Sequence, residues 1–194
     1  MLILLAGLLI LLGSHSVRIF AEDWRTRTID SIGIMRWKLF YAVISLAGFA
    51  LVVIGFPAAR AGAAELWQPP PGAALLALVL TVPAFILMVA GYVPGSHLKA
   101  RLGHPMVLGV AVWALAHLLA TGRSVDLLLF GAFLIWAVVD FQAARGRDQR
   151  AGILPVPGNG IRDIIAVAVG TFAWAAFVFI LHEQLLGVKT GLSG

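Results

Sequence analysis

Five histidines, His15, His97, His104, His117 and His182, stand in a chain of 194 residues that is 61% hydrophobic and only 12% charged. Imidazole is the commonest protein metal ligand and a usual axial ligand of haem iron. An ionisable side chain inside a bilayer is costly and marks function by default. His15 sits in Gly13-Ser-His-Ser-Val-Arg18, and His117 closes Val112-Trp-Ala-Leu-Ala-His117. Two such histidines on facing helices would hold a haem between apolar walls, with both as iron ligands. The plainer reading is that each hydrogen-bonds within the helix bundle. His97 and His104 flank Lys99 and Arg101, which places them at an interface. His182 falls at the end of the last apolar run and also reads as an interface residue.

Other residues bear on the same chemistry. Trp113 stands one turn before His117, and Trp136 lies in mid-run; both are placed to pack against a cofactor or a neighbouring helix. Asp140 closes Trp136-Ala-Val-Val-Asp140. A carboxylate there either supports an imidazole N–H or marks a helix end. Trp37, Trp67, Tyr92 and Trp24 fall at run ends, as an aromatic belt does.

The elements that position these residues follow from composition. A mean hydropathy of +0.98 leaves too little polar surface for a water-soluble domain. With no cysteine, a disulfide framework, a thiolate nucleophile, a Cys-ligated zinc, an iron–sulfur cluster and a c-type haem linkage are all excluded. A spanning helix takes about 20 residues. The fold class expected is therefore an all-α polytopic membrane bundle of about six transmembrane helices in a single domain, 1–194. The expected spans are 1–21, 39–56, 73–93, 105–120, 125–141 and 164–186. Pro83 should kink the third. Asn159, between two glycines, marks a turn ahead of the sixth. The first run is also the length of a signal peptide, but it lacks a basic leader.

Charge sets the orientation. Arg18, Arg25, Arg27, Arg36, Lys38, Lys99, Arg101, Arg145, Arg147, Arg150 and Arg162 fall in gaps on one side, leaving Arg60, Arg123 and Lys189 on the other. The richer side is the cytoplasmic one, so both termini are expected outside. The net charge of +5 then reflects topology, and nucleic acid is not expected as a partner; membrane lipid is. Depth bears on the histidine pair. His15 falls about 9 Å from the cytoplasmic end of its span and His117 about 8 Å from the outer end of its own. In a core of about 30 Å their Cα atoms differ in depth by roughly 13 Å, which requires a tilted ring or tilted helices. His104, towards the cytoplasmic side, is the alternative partner for His15.

Several ordered segments resemble the NnrU family, whose relatives include the zeta-carotene isomerases. They are Gly13-Ser-His15-Ser-Val-Arg18-Ile-Phe20, Ser45-Leu-Ala-Gly-Phe49, Tyr92-Val-Pro94, His97-Leu-Lys99 and Gly103-His104-Pro105-Met106. Further along come Trp113-Ala-Leu-Ala-His117-Leu-Leu-Ala-Thr-Gly122, Leu128-Leu-Phe130-Gly131, Trp136-Ala-Val-Val-Asp140 and Leu181-His182-Glu-Gln-Leu185. The resemblance implies a bacterial inner-membrane protein, linked to denitrification and nitric oxide metabolism or to haem-dependent cis–trans isomerisation of a polyene. It implies haem b as cofactor, with His15 and His117 as axial ligands and a lipophilic substrate or small gas as ligand. The isomerase branch carries a cysteine where this chain has Ala114, and a second-span histidine that has no counterpart here. Both departures favour the bacterial branch. Two other readings stay open. One is a non-catalytic membrane assembly subunit. The other is a membrane methyltransferase, from the echo of Arg-His-Pro-x-x-x-Gly in Gly103-His104-Pro105 and Gly109, with Gly103 in place of the arginine and Glu183 alone in place of an acidic pair.

Overall fold

The structure is a computed structural model, and it describes residues 1–154 and 157–188; Lys189 lies outside them. Among these residues every extended element is helical apart from one isolated bridge, Glu65 with Arg123. Five helices are long and apolar enough to cross a membrane: Leu2–Phe20, Ile34–Ala61, Ala73–Ala90, Ser124–Arg150 and the composite Gly160–Leu186. Pro105–Ala120 is apolar but has 16 residues. That is about 24 Å of helix, short of a core of about 30 Å. The chain is a multi-pass helical membrane protein. It divides into two compact units, Met1–Ala63 and Ala64–Gly194.

The N-terminal unit holds α1 (Leu2–Phe20), α2 (Glu22–Ile32) and α3 (Ile34–Ala61). Helices α1 and α3 pack antiparallel through glycines. A Cβ at Gly55 would lie 2.6 Å from Leu4 N, one at Gly7 2.7 Å from Val52 N, and one at Gly48 2.7 Å from Leu11 N. With no hydrophobic drive between helices in lipid, such close backbone approach supplies the dispersion contact that associates them. Leu4, Leu8, Leu11, Val52 and Phe56 fill the seam. Helix α2 was not foreseen. It carries Glu22, Asp23, Arg25, Arg27 and Asp30, buries no residue, and is bounded by Ala21 and by Gly33 at φ +85°. Its Arg25 bonds Glu22 at 3.2 Å, and Trp24 meets Trp37 edge-on at 5.8 Å.

The C-terminal unit holds α4 (Ala73–Ala90), α5 (His97–Leu102), α6 (Pro105–Ala120), α7 (Ser124–Arg150) and α8 (Gly160–Ala176). Helix α8 passes through a π-helical turn, Phe177–Leu181, into α9 (His182–Leu186). Helix α4 packs against both α6 and α8. Gly109 lies against Ala84 and Met88, Gly91 against Met106, and Gly170 against Ile86. The buried Thr81 hydroxyl accepts from Trp174 Nε1 at 3.0 Å and donates to Leu78 O, tying α8 to α4.

Several expected boundaries shift. The second helix runs Ile34–Ala61 where 39–56 is expected, and α7 runs to Arg150 where the fifth span is expected to end at 141. The third stops at Ala90, three residues early, and Tyr92 and Val93 form turns. A hydropathy run stops at the first charge, but a helix continues while its backbone bonds are satisfied and its long basic side chains reach water. Helix α4 runs continuously through Pro83.

Two clasps close the C-terminal unit's loops. At one, Leu66 N and Trp67 N donate to Gly122 O, and Ser124 N donates to Ala64 O. At the other, Asn159 N donates to Gly95 O, Leu98 N to Asp163 Oδ1 at 3.1 Å, and the Arg162 guanidinium to Pro94 O.

Candidate functional site

The five histidines fall into two chemical sets. His97 Nδ1 bonds Asp163 Oδ2 at 2.7 Å, and His104 Nε2 bonds Asp148 Oδ2 at 2.9 Å. In the other set the ring meets a backbone carbonyl: His15 Nδ1 to Leu11 O at 2.8 Å, His117 Nδ1 to Trp113 O at 2.8 Å, and His182 Nδ1 to Val188 O at 2.9 Å. A carbonyl oxygen only accepts. Nδ1 therefore carries the proton, and in the neutral imidazole Nε2 carries the lone pair. An axial ligand has this protonation pattern, with a hydrogen bond fixing tautomer and ring orientation. The donor chemistry of these three residues thus fits a haem iron.

His117 has the most developed surroundings. Phe130 stacks on its ring at 4.5 Å and 25°. Trp113 lies 5.0 Å away, and meets Phe130 and Phe133 edge-on at 5.2 and 5.4 Å. These contacts follow from the antiparallel packing of α6 on α7, which brings positions 113 and 117 opposite 133 and 130. Trp113, foreseen as a supporting residue, faces His117 with its ring and with its own carbonyl.

His182, which the sequence places at the end of the last apolar run and reads as an interface residue, has its Nδ1 on a backbone carbonyl like His15 and His117. It begins α9 directly after the π-helical turn, and Phe177 meets its ring edge-on at 5.9 Å. A π-turn inserted in an α-helix recurs at functional sites.

The remaining candidates have other partners. His15 belongs to the N-terminal unit, where its ring lies 5.1 Å from Tyr41 and the flanking Ser14 and Ser16 hydroxyls donate to Leu11 O and Leu12 O. His104 is the N-cap of α6, at the opposite end of that helix from His117, about 20 Å along it. Asp140 on α7 stands 3.9 Å from Arg147. Among the described residues no group of three or more His, Asp or Glu side chains could hold a metal ion.

An all-helical chain with five helices long and apolar enough to cross a membrane belongs to the class of multi-pass helical membrane proteins. The family model of the NnrU protein matches residues 3–190, through both units, and the chain belongs to that family. No curated protein and no solved structure matches it.

Proposed function

We propose that this NnrU-family protein binds haem b in a bacterial inner membrane, with both termini outside and with His117 as an axial ligand. The observation that carries the reading is the Trp113 carbonyl on His117 Nδ1, which leaves the Nε2 lone pair on a ring packed against Trp113 and Phe130. His15 is the second ligand implied by family resemblance, and its Nδ1 is held in the same way. His182, in the same unit as His117 and with its Nδ1 also on a backbone carbonyl, is the rival for that role.

When bound, haem b would supply an iron able to take a small gas or to act as a Lewis acid towards a lipophilic polyene. The chain's own contribution is orientation and exclusion of water. The Trp113 carbonyl sets the tautomer of His117, and the Trp113 and Phe130 rings pack against the imidazole. Such walls suit a lipophilic substrate or a gas, in keeping with roles in nitric oxide metabolism linked to denitrification or in polyene isomerisation.

The test is an absorption spectrum of detergent-purified protein made with ample haem, oxidised and after dithionite. A Soret band that is lost in His117→Ala supports the reading. Loss or shift in His15→Ala but not His182→Ala identifies His15 as the second ligand, and the reverse pattern identifies His182. A flat spectrum after haem supply refutes haem binding and leaves a membrane assembly subunit.

A further inference from the structure

The C-terminal unit contains a second feature that no histidine chemistry uses. A cavity of about 690 Å³ opens between α5, the end of α7 and the residues that follow it. That volume lies within the range of about 300–1,000 Å³ that small-molecule sites occupy. Its walls carry three cations, Lys99, Arg101 and Arg145, against one carboxylate, Asp148. Asp148 is already engaged by His104 Nε2 at 2.9 Å. Among the described residues neither Arg101 nor Arg145 has a carboxylate within ion-pair distance, so the cavity carries uncompensated positive charge.

The cations are positioned rather than scattered. Lys99 Nζ donates one proton to Gly91 O at 2.9 Å, which holds the ammonium at the wall with two more to offer. The Arg145 guanidinium lies over Gly103, where an added Cβ would stand 3.6 Å from Nη1. Gly103 has φ +71°, so the α5–α6 corner is one that glycine adopts without strain. The clasp of Asn159 and Asp163 on residues 95–98 fixes α5 itself.

Beside the cations, Ile153 and Leu154 line the cavity while 62% and 81% exposed. A cationic cavity with exposed aliphatic side chains at its edge matches an amphiphile with an anionic head. All three cations lie on the side that the charge count makes cytoplasmic, where anionic lipid is concentrated. Arginine pairs with phosphate through two parallel N–H bonds.

We propose that this cavity binds the phosphate of an anionic phospholipid, with Arg101, Arg145 and Lys99 on the phosphate and Ile153 and Leu154 against the acyl chains.

The experiment is native mass spectrometry of the full-length, delipidated chain in neutral detergent. Phosphatidylglycerol and phosphatidylcholine are titrated separately, and inorganic phosphate is used as competitor. The wild type is expected to retain phosphatidylglycerol in preference to phosphatidylcholine. Arg101→Gln/Arg145→Gln should weaken that binding roughly 30-fold, taking a lysine or arginine near an anionic surface at its usual strength. Arg27→Gln/Arg36→Gln, which removes equal charge from the same membrane side outside the cavity, should change it less than about two-fold. Arg101→Lys/Arg145→Lys should restore most of the binding and serves if the glutamine variant loses its helical circular dichroism. Equal retention of the two lipids by the wild type overturns the proposal, as does equal loss in the two glutamine double variants. Displacement of the lipid by inorganic phosphate at comparable concentration overturns the lipid and assigns the cavity to a free phosphate group.

Discussion

The glycine seam between α1 and α3 allows a sharp test of what holds the N-terminal unit together. In Gly55→Ala the new Cβ meets Leu4 N at 2.6 Å, Leu4 Cα at 2.9 Å and Ile3 C at 3.0 Å. All three are backbone atoms, so no rotamer change relieves the overlap. Carbon contacts settle at about 3.5–4.0 Å, so the two helices must part by roughly 1 Å at this level. Parting them loosens the contact around Leu4, which is completely buried. Overpacking of this kind costs about 1–3 kcal/mol. Alanine also raises helix propensity by up to about 1 kcal/mol, which opposes the effect. The control that removes this second contribution is Gly13→Ala on α1, where an added Cβ meets nothing within 4 Å. The difference between the two variants is then the packing cost alone, about 1–3 kcal/mol. It is measured by reversible unfolding in mixed micelles with increasing dodecyl sulfate, followed by far-ultraviolet circular dichroism. Equal unfolding free energies for the two variants would refute the argument that backbone proximity at Gly55 holds the helices together.

Two further outcomes follow from the C-terminal unit. Trp174→Phe keeps an aromatic ring but removes the donor to Thr81 Oγ1, and the same unfolding assay should show a loss of about 0.6 kcal/mol, the average for interhelical bonds in a bilayer, and no more than about 1.7 kcal/mol. His104→Gln should leave any haem spectrum unchanged, because Asp148 holds its Nε2 at the far end of α6; a lost or shifted Soret band in this variant would show that His104 ligates after all.

Much of the bundle was legible because apolar runs in this chain are long and their gaps are charged. The sixteen residues of α6 match their run residue for residue, since Pro105 opens the helix and Thr121 closes it in extended conformation. Helix α2 was illegible for the opposite reason: it has no apolar run, and its many charges read as a loop. The π-helical turn at Phe177–Leu181 has no residue signature. In the candidate site, the contact of Trp113 with His117 was legible from their spacing of one helical turn. The carbonyl bonds on Nδ1 were not, because they depend on rotamers. The contact of His182 with Phe177 depends on the π-turn between them, which no local pattern encodes.

The two clasps of the C-terminal unit have a consequence for how it comes apart. Each joins backbone groups far apart in the chain, Leu66 with Gly122 and Gly95 with Asn159. They sit beyond opposite ends of α4, so each acts as a non-covalent crosslink across a large loop. Once a loop is closed, the entropy of closing it has already been spent, and further contacts inside it form at little extra cost. Fraying of a single helix end therefore gains almost no freedom until a clasp opens. Opening one releases several helices together, so the unit behaves as one cooperative block in which the amides of Leu66 and Asn159 exchange only with the whole.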